Sequence, residues 1–291
     1  MARNSPTQIV PLYAEPLTRI PWLIHAFSTR HGGSSSVLGG NALNLGFTRQ
    51  ESRTLVERNR AAFLKAIGAS RGRLLWPLVV LRQIHSDLIH CVSGESPGRE
   101  LTGDGLITRT PELLLAIQTA DCLPVILVDT KSKAIGVFHA GWRGTLKRIV
   151  EKGVGEMGRC FGAKPRDIQA AIGPGIGGCC YSVGPEVRER FESQFDYAEN
   201  LFREVKEADP VREKYPLLFL SARPPGHGNL PRTIRLNLPE ANRRQLIATG
   251  VLAKNISVSS LCTACRTDLL FSHRAEKGIT GRMMAVAGVK A

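Results

Sequence analysis

The sequence predicts an α/β fold of the α+β type, in which helices cover mixed β-sheets. Predicted strands and helices alternate irregularly along the 291 residues, and in places two strands follow one another directly. The composition is that of a globular protein, with 43% hydrophobic and 22% charged residues. The longest apolar runs, such as 113–117 and 125–128, are far shorter than the ~18 residues of a membrane span.

Hydrophobic periodicity and the positions of glycine define the individual elements. The apolar segment 22–29 predicts the first strand, and the glycine- and serine-rich segment 30–46 predicts a loop. Residues 51–67 predict a helix that ends at Gly68, because apolar side chains recur on one helical face up to that glycine. Further strands are predicted at 76–84, 113–118, 122–129, 134–139, 168–172, 255–260 and 283–289. Further helices are predicted at 141–160, 185–195 and 239–249, and a proline- and glycine-rich surface loop at 221–233.

The charge balance favours an anionic small molecule as partner. Lysine and arginine number 39 against 25 aspartates and glutamates, which gives a net charge of +14. Such a balance suits phosphates and nucleotides, although a host with a basic proteome would produce it as well. The basic residues are scattered, and even the densest stretch, 49–60, includes glutamates and no interleaved aromatic platform. We therefore expect neither a nucleic acid nor a membrane as partner.

Cysteine usage points to a reducing compartment. The chain has seven cysteines, and its N-terminus lacks the apolar segment of a signal peptide, so we expect a cytoplasmic protein with reduced thiols. Cys262 and Cys265 form a C-x-x-C pair, and Cys179 and Cys180 are adjacent. Because adjacent cysteines chelate a single metal ion poorly, we expect packed thiols there rather than a structural zinc site.

The glycines at 173, 175 and 178 have the spacing of a dinucleotide-binding loop. Such a loop must open directly into a helix, whose N-terminus binds the pyrophosphate. Here Pro174 interrupts the motif and Pro185 follows soon after it. The sequence therefore favours a tight turn that lets the backbone approach its neighbours closely.

Three residues with metal-binding side chains lie at the ends of predicted strands. They are His85, Cys122 and His139. Imidazole and thiolate are ligands that Zn²⁺ prefers, and three protein ligands leave a fourth position for water, as in catalytic sites. Arg143 and the first N–H groups of the helix predicted after His139 would face an anion beside the metal. The separations of 37 and 17 residues match no compact metal motif, so packed core residues and a metal-free Cys–His nucleophile stay open as alternatives.

Motifs that recur in a fixed order extend this interpretation to about residues 20–289. They are FSTRHGGSS (27–35), LNLG (43–46), RQIHSD (82–87), TGDGLIT (102–108), TADCLPVIL (119–127), FHAGWRGT (138–145), AIGPGIGGCCYSVG (171–184) and CTACRTDLLFSHRAEKGITGRMM (262–284). Together they resemble the laccase-domain polyphenol oxidase family. Members of this family are also named purine nucleoside phosphorylases or peptidoglycan editing factors.

The resemblance implies a four-layer α/β/β/α sandwich with mixed sheets, formed by residues 1–291 as a single domain. It implies a Zn²⁺ site, with Cu²⁺ as an alternative metal, whose ligands and catalytic residues are His85, Cys122 and His139. The implied activity is phosphorolysis of adenosine, inosine and 5′-methylthioadenosine to the free base and a ribose 1-phosphate, with adenosine deamination as a companion. The small-molecule partners would be nucleoside and phosphate, and the residues implied to contact or support substrate are Asn44, Gln83, Asp104, Arg143 and Arg282.

The family names also imply two other activities. One is hydrolysis of misassembled peptidoglycan precursors by an amidase, and the other is copper-dependent oxidation of polyphenols. A multicopper oxidase needs about ten histidines, often in H-x-H pairs, to reduce oxygen by four electrons. This chain has seven histidines and no H-x-H pair, which argues strongly against the oxidase. Segment 206–233 resembles an insertion relative to the family.

Overall fold

The computed structural model describes residues 8–94, 101–206, 214 and 232–291. They group into two compact units: the first is Met1–Gly177 with Leu238–Ala291, and the second is Gly178–Asn237. The expectation that residues 1–291 form a single domain stays a prediction. The expected insertion at 206–233 and the surface loop at 221–233 lie outside the described residues, apart from 206, 214, 232 and 233.

The strands and helices that the sequence predicts are present in the predicted order, and the described residues contain nine further strands and one further short α-helix. In the described residues the α-helices are α1 (Glu15–Thr18), α2 (Arg53–Ala66), α3 (Trp142–Leu146), α4 (Ile149–Phe161), α5 (Pro185–Glu192) and α6 (Leu238–Ala248). The strands there are β1 (Leu23–Phe27), β2 (His31–Ser35), β3 (Ser70–Arg71), β4 (Leu74–Leu75), β5 (Leu78–Arg82), β6 (Ile89–Cys91), β7 (Leu101–Thr102), β8 (Gly105–Thr108), β9 (Leu114–Thr119), β10 (Leu123–Asp129), β11 (Ala134–Ala140), β12 (Ile168–Ile172), β13 (Ser182–Val183), β14 (Phe202–Lys206), β15 (Arg232–Leu236), β16 (Ile256–Val258) and β17 (Met283–Val289). None of the described helices has the length and apolarity needed to cross a bilayer.

Two mixed sheets form the centre of the first unit. Among the described residues, one has the order β1-β17-β9-β5-β7 and the other the order β16-β12-β10-β11-β8-β6. In the first sheet β1, β17 and β9 are antiparallel, whereas β9, β5 and β7 are parallel. The second sheet is antiparallel from β12 to β8 and has a parallel strand at each edge. The prediction of an α/β fold with mixed sheets is confirmed. In the second unit, β13-β15-β14 form an antiparallel sheet.

Both faces of the β1-containing sheet are buried, which explains its continuous apolar strands. In β9, Leu115 and Ile117 join the core between the two sheets, while the alternate residues Leu114 and Ala116 pack with Phe63 of α2. On the far side of the second sheet, α4 and α6 cover its strands. The layers of the first unit are therefore α2, sheet, sheet, and α4 with α6, which is the four-layer order that the resemblance implied.

The helix predicted over 141–160 is divided in two. Arg148 separates α3 from α4 with a left-handed backbone, at a φ of 63°. The reason lies in α6, where the Gln245 side chain donates to the Thr145 carbonyl at 2.8 Å, and Asn242 donates to the Thr145 hydroxyl at 3.0 Å. The Thr145 carbonyl also accepts the Arg148 N–H at 2.9 Å, so both of its acceptor positions are used, and α3 ends after five residues.

The segment 30–46 is not entirely a loop. It contains β2, which forms bridges from His31 and Ser35 to Ala42. Gly32 and Gly33 follow the first residue of this strand, and a β-carbon built on either would lie within 2.6 Å of backbone atoms of the neighbouring segments. Glycine is required here because neighbouring backbone segments lie too close for a side chain. A glycine-rich composition alone does not distinguish a closely packed strand from a flexible loop.

The tight turn expected near Gly173 and Gly175 is confirmed as a place of close approach. A β-carbon on Gly173 would lie 2.2 Å from the Phe27 ring, and one on Gly175 would lie 2.5 Å from Leu123. Among the described residues, the next helix begins only at Pro185. The glycines therefore serve packing at the end of β12, and the geometry of a dinucleotide loop is absent from this segment.

Buried His25 is expected to make the protein less stable in mild acid. Its Nε2 accepts the Ala14 N–H at 3.1 Å, and burial lowers its pKa from 6.5 to about 4. Between pH 6.5 and 4, the His25 ring is protonated in the unfolded chain but not in the folded one. The contribution of neutral His25 to the free energy of unfolding is therefore full above pH 6.5 and is lost as the pH falls toward 4. Urea unfolding at pH 7 and pH 4.5 should show a loss of about 2 kcal/mol that His25→Gln removes. An equal loss in His25→Gln would assign the effect to other groups.

Candidate metal centre

His85, Cys122 and His139 meet at one end of the paired strands β10 and β11. In the register of this pair Leu123 lies opposite Ala140, so Cys122 and His139 come together at the strand ends. The Cys122 Sγ lies 3.8 Å from the His85 Nε2, and the centroids of the two imidazole rings lie 4.9 Å apart. One ligand atom from each of the three side chains lies within 4.8 Å of the other two. Residues separated by long stretches of sequence therefore form one compact N, N, S group.

This group fits a tetrahedral zinc ion. With Zn–N of about 2.0 Å and Zn–S of about 2.3 Å, tetrahedral nitrogen and sulfur ligands lie about 3.6 Å apart. The observed 3.8 Å between Cys122 and His85 agrees with that separation. Gly141 makes room for the group, because a β-carbon there would lie 2.9 Å from the Cys122 Sγ and 3.1 Å from the His85 ring. The donor set and the space beside it thus suit Zn²⁺.

Asp104 connects two of the three candidate ligands. Its carboxylate accepts the His139 Nδ1–H at 2.8 Å, which leaves the His139 Nε2 to face the ligand group. The same carboxylate accepts the backbone N–H groups of Ile84, His85 and Ser86, and the Ser86 hydroxyl at 2.6 Å. These bonds stabilise the left-handed backbone of His85, at a φ of 57°. One buried carboxylate therefore fixes the backbone of one ligand and the ring of another.

The electrostatics of the group favour a thiolate at Cys122. Burial opposes this charge, but the His139 and His85 rings outweigh burial and lower the pKa of Cys122 to about 6. Burial likewise lowers the pKa of His139, yet Cys122 and Asp104 outweigh it and raise the pKa to about 9. For Asp104, hydrogen bonds from His139 and Ser86 overcome burial and bring the pKa to about 2. A thiolate is the form in which cysteine binds metal or acts as a nucleophile.

Asp121, next to Cys122, is a positioning residue that the sequence analysis missed. Its backbone has a φ of 95°, an unusual value for a residue other than glycine. Its buried carboxylate accepts the hydroxyl groups of Thr263 at 2.6 Å and Ser272 at 2.7 Å, and the Arg274 N–H at 2.6 Å. These bonds hold the turn that presents Cys122. Its position directly before the candidate ligand Cys122 was the sequence signal that could have identified Asp121.

Asn44, Gln83 and Asp104, which are also expected to contact or support substrate, make hydrogen bonds within the protein. Asn44 is fully buried, and its Oδ1 accepts the N–H groups of Gly46 and Arg282. The Gln83 side chain pairs in both directions with the backbone of Gln118. Asn44 and Asp104 have no exposed surface; Asn44 thus holds the backbone of Arg282, Asp104 holds two candidate ligands, and Gln83 ties β5 to β9.

Two arginines expected to contact substrate have different surroundings. Arg282 interacts electrostatically with Cys122 and Asp121, and burial lowers its pKa from the usual range. Arg143 is exposed in α3, with its guanidinium 4.5 Å from the centre of the Trp142 ring. Because α3 has only five residues, its dipole adds less to anion binding than the long predicted helix would. Arg143 itself is the main cationic group on α3.

A family model described as a multi-copper polyphenol oxidoreductase laccase matches residues 24–290. The chain belongs to this family. The family that the sequence motifs resemble is therefore confirmed over nearly the full length. Family membership agrees with a metal site at the N, N, S group.

Relatives with assigned names extend this comparison. A protein of Deinococcus radiodurans named purine nucleoside phosphorylase is 37% identical over 281 residues, which cover 96% of this chain and 93% of the relative. A prokaryotic protein named adenosine deaminase RL5 is 37% identical over 171 residues, which cover 59% of this chain and 56% of that protein. The crystal structure of Bacillus licheniformis YfiH has a TM-score of 0.79 at 31% identity and covers 99% of this chain and 98% of its own.

Proposed function

We propose that this chain is a cytoplasmic, zinc-dependent enzyme of purine nucleosides. Its reaction is phosphorolysis of adenosine, inosine and 5′-methylthioadenosine to the free base and a ribose 1-phosphate. Adenosine deamination is its second reaction. The observation that carries the proposal is the convergence of His85, Cys122 and His139 in a chain whose relatives are named for these two activities.

In this proposal each residue near the group has a defined task. His85, Cys122 and His139 would hold zinc, with the three protein ligands that are typical of a catalytic zinc site. Bound zinc supplies a Lewis acid, which lowers the pKa of a coordinated water toward ~7. Asp104 keeps the proton on the Nδ1 of His139, so that the ring cannot turn away from the site.

Two cations beside the group suit an anionic co-substrate. The exposed Arg143 guanidinium can bind phosphate oxygens with two parallel hydrogen bonds. Arg282 adds positive charge next to Cys122, in a place where partial burial strengthens electrostatic attraction. Phosphorolysis needs phosphate held near the C1′ of the sugar while the base is released, and these cations are the groups suited to hold it.

Product analysis with and without phosphate tests the proposal. The purified full chain should release hypoxanthine and ribose 1-phosphate from inosine only when phosphate is present, and should convert adenosine to inosine without it. A chelator should stop both reactions, and zinc should restore them. Full activity after metal removal would favour a metal-free Cys122 nucleophile. Amide release from a peptidoglycan precursor, with no nucleoside turnover, would favour the editing hydrolase.

Arg143→Lys is expected to impair phosphate use selectively. Lysine keeps the charge but loses the paired hydrogen bonds, each worth ~1.5–3 kcal/mol, so the KM for phosphate should rise about tenfold or more. Zinc content should not change, and deamination, which consumes water, should fall much less. The measurements are inosine phosphorolysis against phosphate concentration and adenosine deamination without phosphate.

Arg109→Lys is a matched control, because Arg109 is also exposed and also lies over an aromatic ring, 5.9 Å from the centre of Phe161. This variant should behave as wild type in both reactions. Equal losses of phosphorolysis and deamination in Arg143→Lys would mean that Arg143 supports the site in general and does not position phosphate.

A further inference from the structure

Cys91 and Cys160 form a pair of thiols away from the metal centre. Cys91 is the last residue of β6 and is exposed, and Cys160 lies in the last turn of α4 and is partly exposed. The two cysteines are 69 positions apart in the sequence. Cys91 lies opposite Ile107 of β8, and Arg109, two residues after Ile107, lies 5.9 Å from the ring centre of Phe161, which follows Cys160. The backbones of β6 and α4 approach within 8 Å, so the pair is brought together by the fold.

The surroundings of the pair favour reaction between the two sulfur atoms. Partial burial and the neighbouring Cys160 thiol raise the pKa of Cys91 to about 11, so near neutral pH the Cys91 thiol stays protonated. The Arg159 guanidinium interacts electrostatically with both thiols. A cation beside a sulfur atom stabilises the thiolate, which is the attacking form in disulfide exchange.

A disulfide between Cys91 and Cys160 would attach β6 covalently to α4. β6 is an edge strand of its sheet and pairs only with β8 among the described strands. In the segment that leads from His85 to β6, Asp87 forms ion pairs with Lys147 and with Lys152 of α4. Because both ion pairs are on the surface, they contribute little to stability. A covalent bond at Cys91 would attach the same segment to α4 far more firmly.

We infer that Cys91 and Cys160 are a redox modification site, which forms an intramolecular disulfide when a low-molecular-weight disulfide oxidises it. The Cys160 thiolate attacks one sulfur of the small disulfide, forms a mixed disulfide and releases the first small thiolate. Cys91 then gives its proton to a released thiolate and attacks the Cys160 sulfur, which displaces the second small thiol. Two protein thiols are oxidised, one small disulfide is reduced, and two small thiols are produced.

The disulfide would enclose the candidate site in a covalent loop. Residues 91–160 include Asp104, Cys122 and His139, and His85 lies just outside the loop. Cross-linking a loop of this length restricts the unfolded chain and therefore raises the stability of the folded one. The inference does not depend on the nucleoside chemistry, because its expected results are a peptide linkage and a thermal shift.

Peptide mapping of the oxidised full chain tests the inference. The reduced protein is equilibrated with excess oxidised glutathione, quenched in acid, alkylated and digested without reduction. A peptide that links Cys91 to Cys160 is expected, and the melting temperature should rise by roughly 5 °C or more. Treatment with reduced glutathione should remove both changes.

Single variants provide the controls. Cys91→Ser and Cys160→Ser should lack the linked peptide and should not gain stability with oxidant, whereas Cys265→Ser, which removes another exposed cysteine, should still form the link. Recovery of Cys91 and Cys160 from the oxidised wild type as unlinked thiols or as separate glutathione adducts would overturn the inference. This readout from the wild type remains valid if a variant folds poorly.

Discussion

Cys122→Ala is expected to remove the metal and at least 10³-fold of the activity. Without the Cys122 thiolate, the site retains only two imidazole ligands, and two protein ligands bind zinc far more weakly than three. Because a catalytic metal contributes several kcal/mol of transition-state stabilisation, a rate loss of about 10³-fold or more follows. Elemental analysis should find about one zinc per wild-type chain and almost none in the variant.

His85→Ala and His139→Ala should lose the metal in the same way, since each supplies one of the three ligand atoms. Cys91→Ser is the control, because it removes a thiol distant from the group and should keep both zinc and activity. Full metal occupancy in all three ligand variants would eliminate this site, whatever their activity.

Asp104→Asn is expected to weaken both the metal site and the fold. The amide that replaces the carboxylate brings its own donor toward five donors: the His139 ring, the Ser86 hydroxyl and three backbone N–H groups. Loss of a partner of this kind typically costs 10–100-fold in metal affinity. Removing one partner of a buried charged pair also costs about 3–5 kcal/mol of stability. Zinc competition with a chromophoric chelator and urea unfolding measure the two effects.

Asp87→Asn is the matched control for this prediction. Asp87 lies on the same segment as His85, but its carboxylate is partly exposed and pairs with surface lysines. Its replacement should change stability by less than about 1 kcal/mol and leave zinc affinity unaltered. Wild-type zinc affinity in Asp104→Asn would show that His139 is oriented without the carboxylate.

Local patterns predicted the strands best where the apolar run is long. β17 lies over the predicted residues 283–289, because its continuous apolar run marks a strand buried on both faces. β8 was missed, since it has four residues and begins at Gly105. The break at Arg148 was missed because its cause, the bond from Gln245 to Thr145, joins residues 100 positions apart. A turn made by tertiary contacts leaves no glycine or proline to mark it.

In the candidate site, too, local sequence predicted some features and missed those that depend on tertiary contacts. Positions at strand ends singled out His85, Cys122 and His139, but spacing could not bring them together, and their convergence was implied by the family motifs alone. Asp104 and Asp121 act through partners that are distant in sequence, Asp121 through Thr263 and Ser272. Local sequence patterns cannot identify such partners, because tertiary folding alone brings them together.

The Asp104 network has a consequence for how the protein matures. Its bonds are made by protein atoms alone, so they hold the backbone of His85 and the ring of His139 without a contribution from an ion. Many small zinc domains behave in the opposite way, because their chains stay unfolded until metal arrives. Here the ligands lose their conformational entropy when the chain folds. Metal binding then costs less entropy, which favours a higher affinity for the ion. We therefore expect the chain to complete its fold before it binds a metal ion.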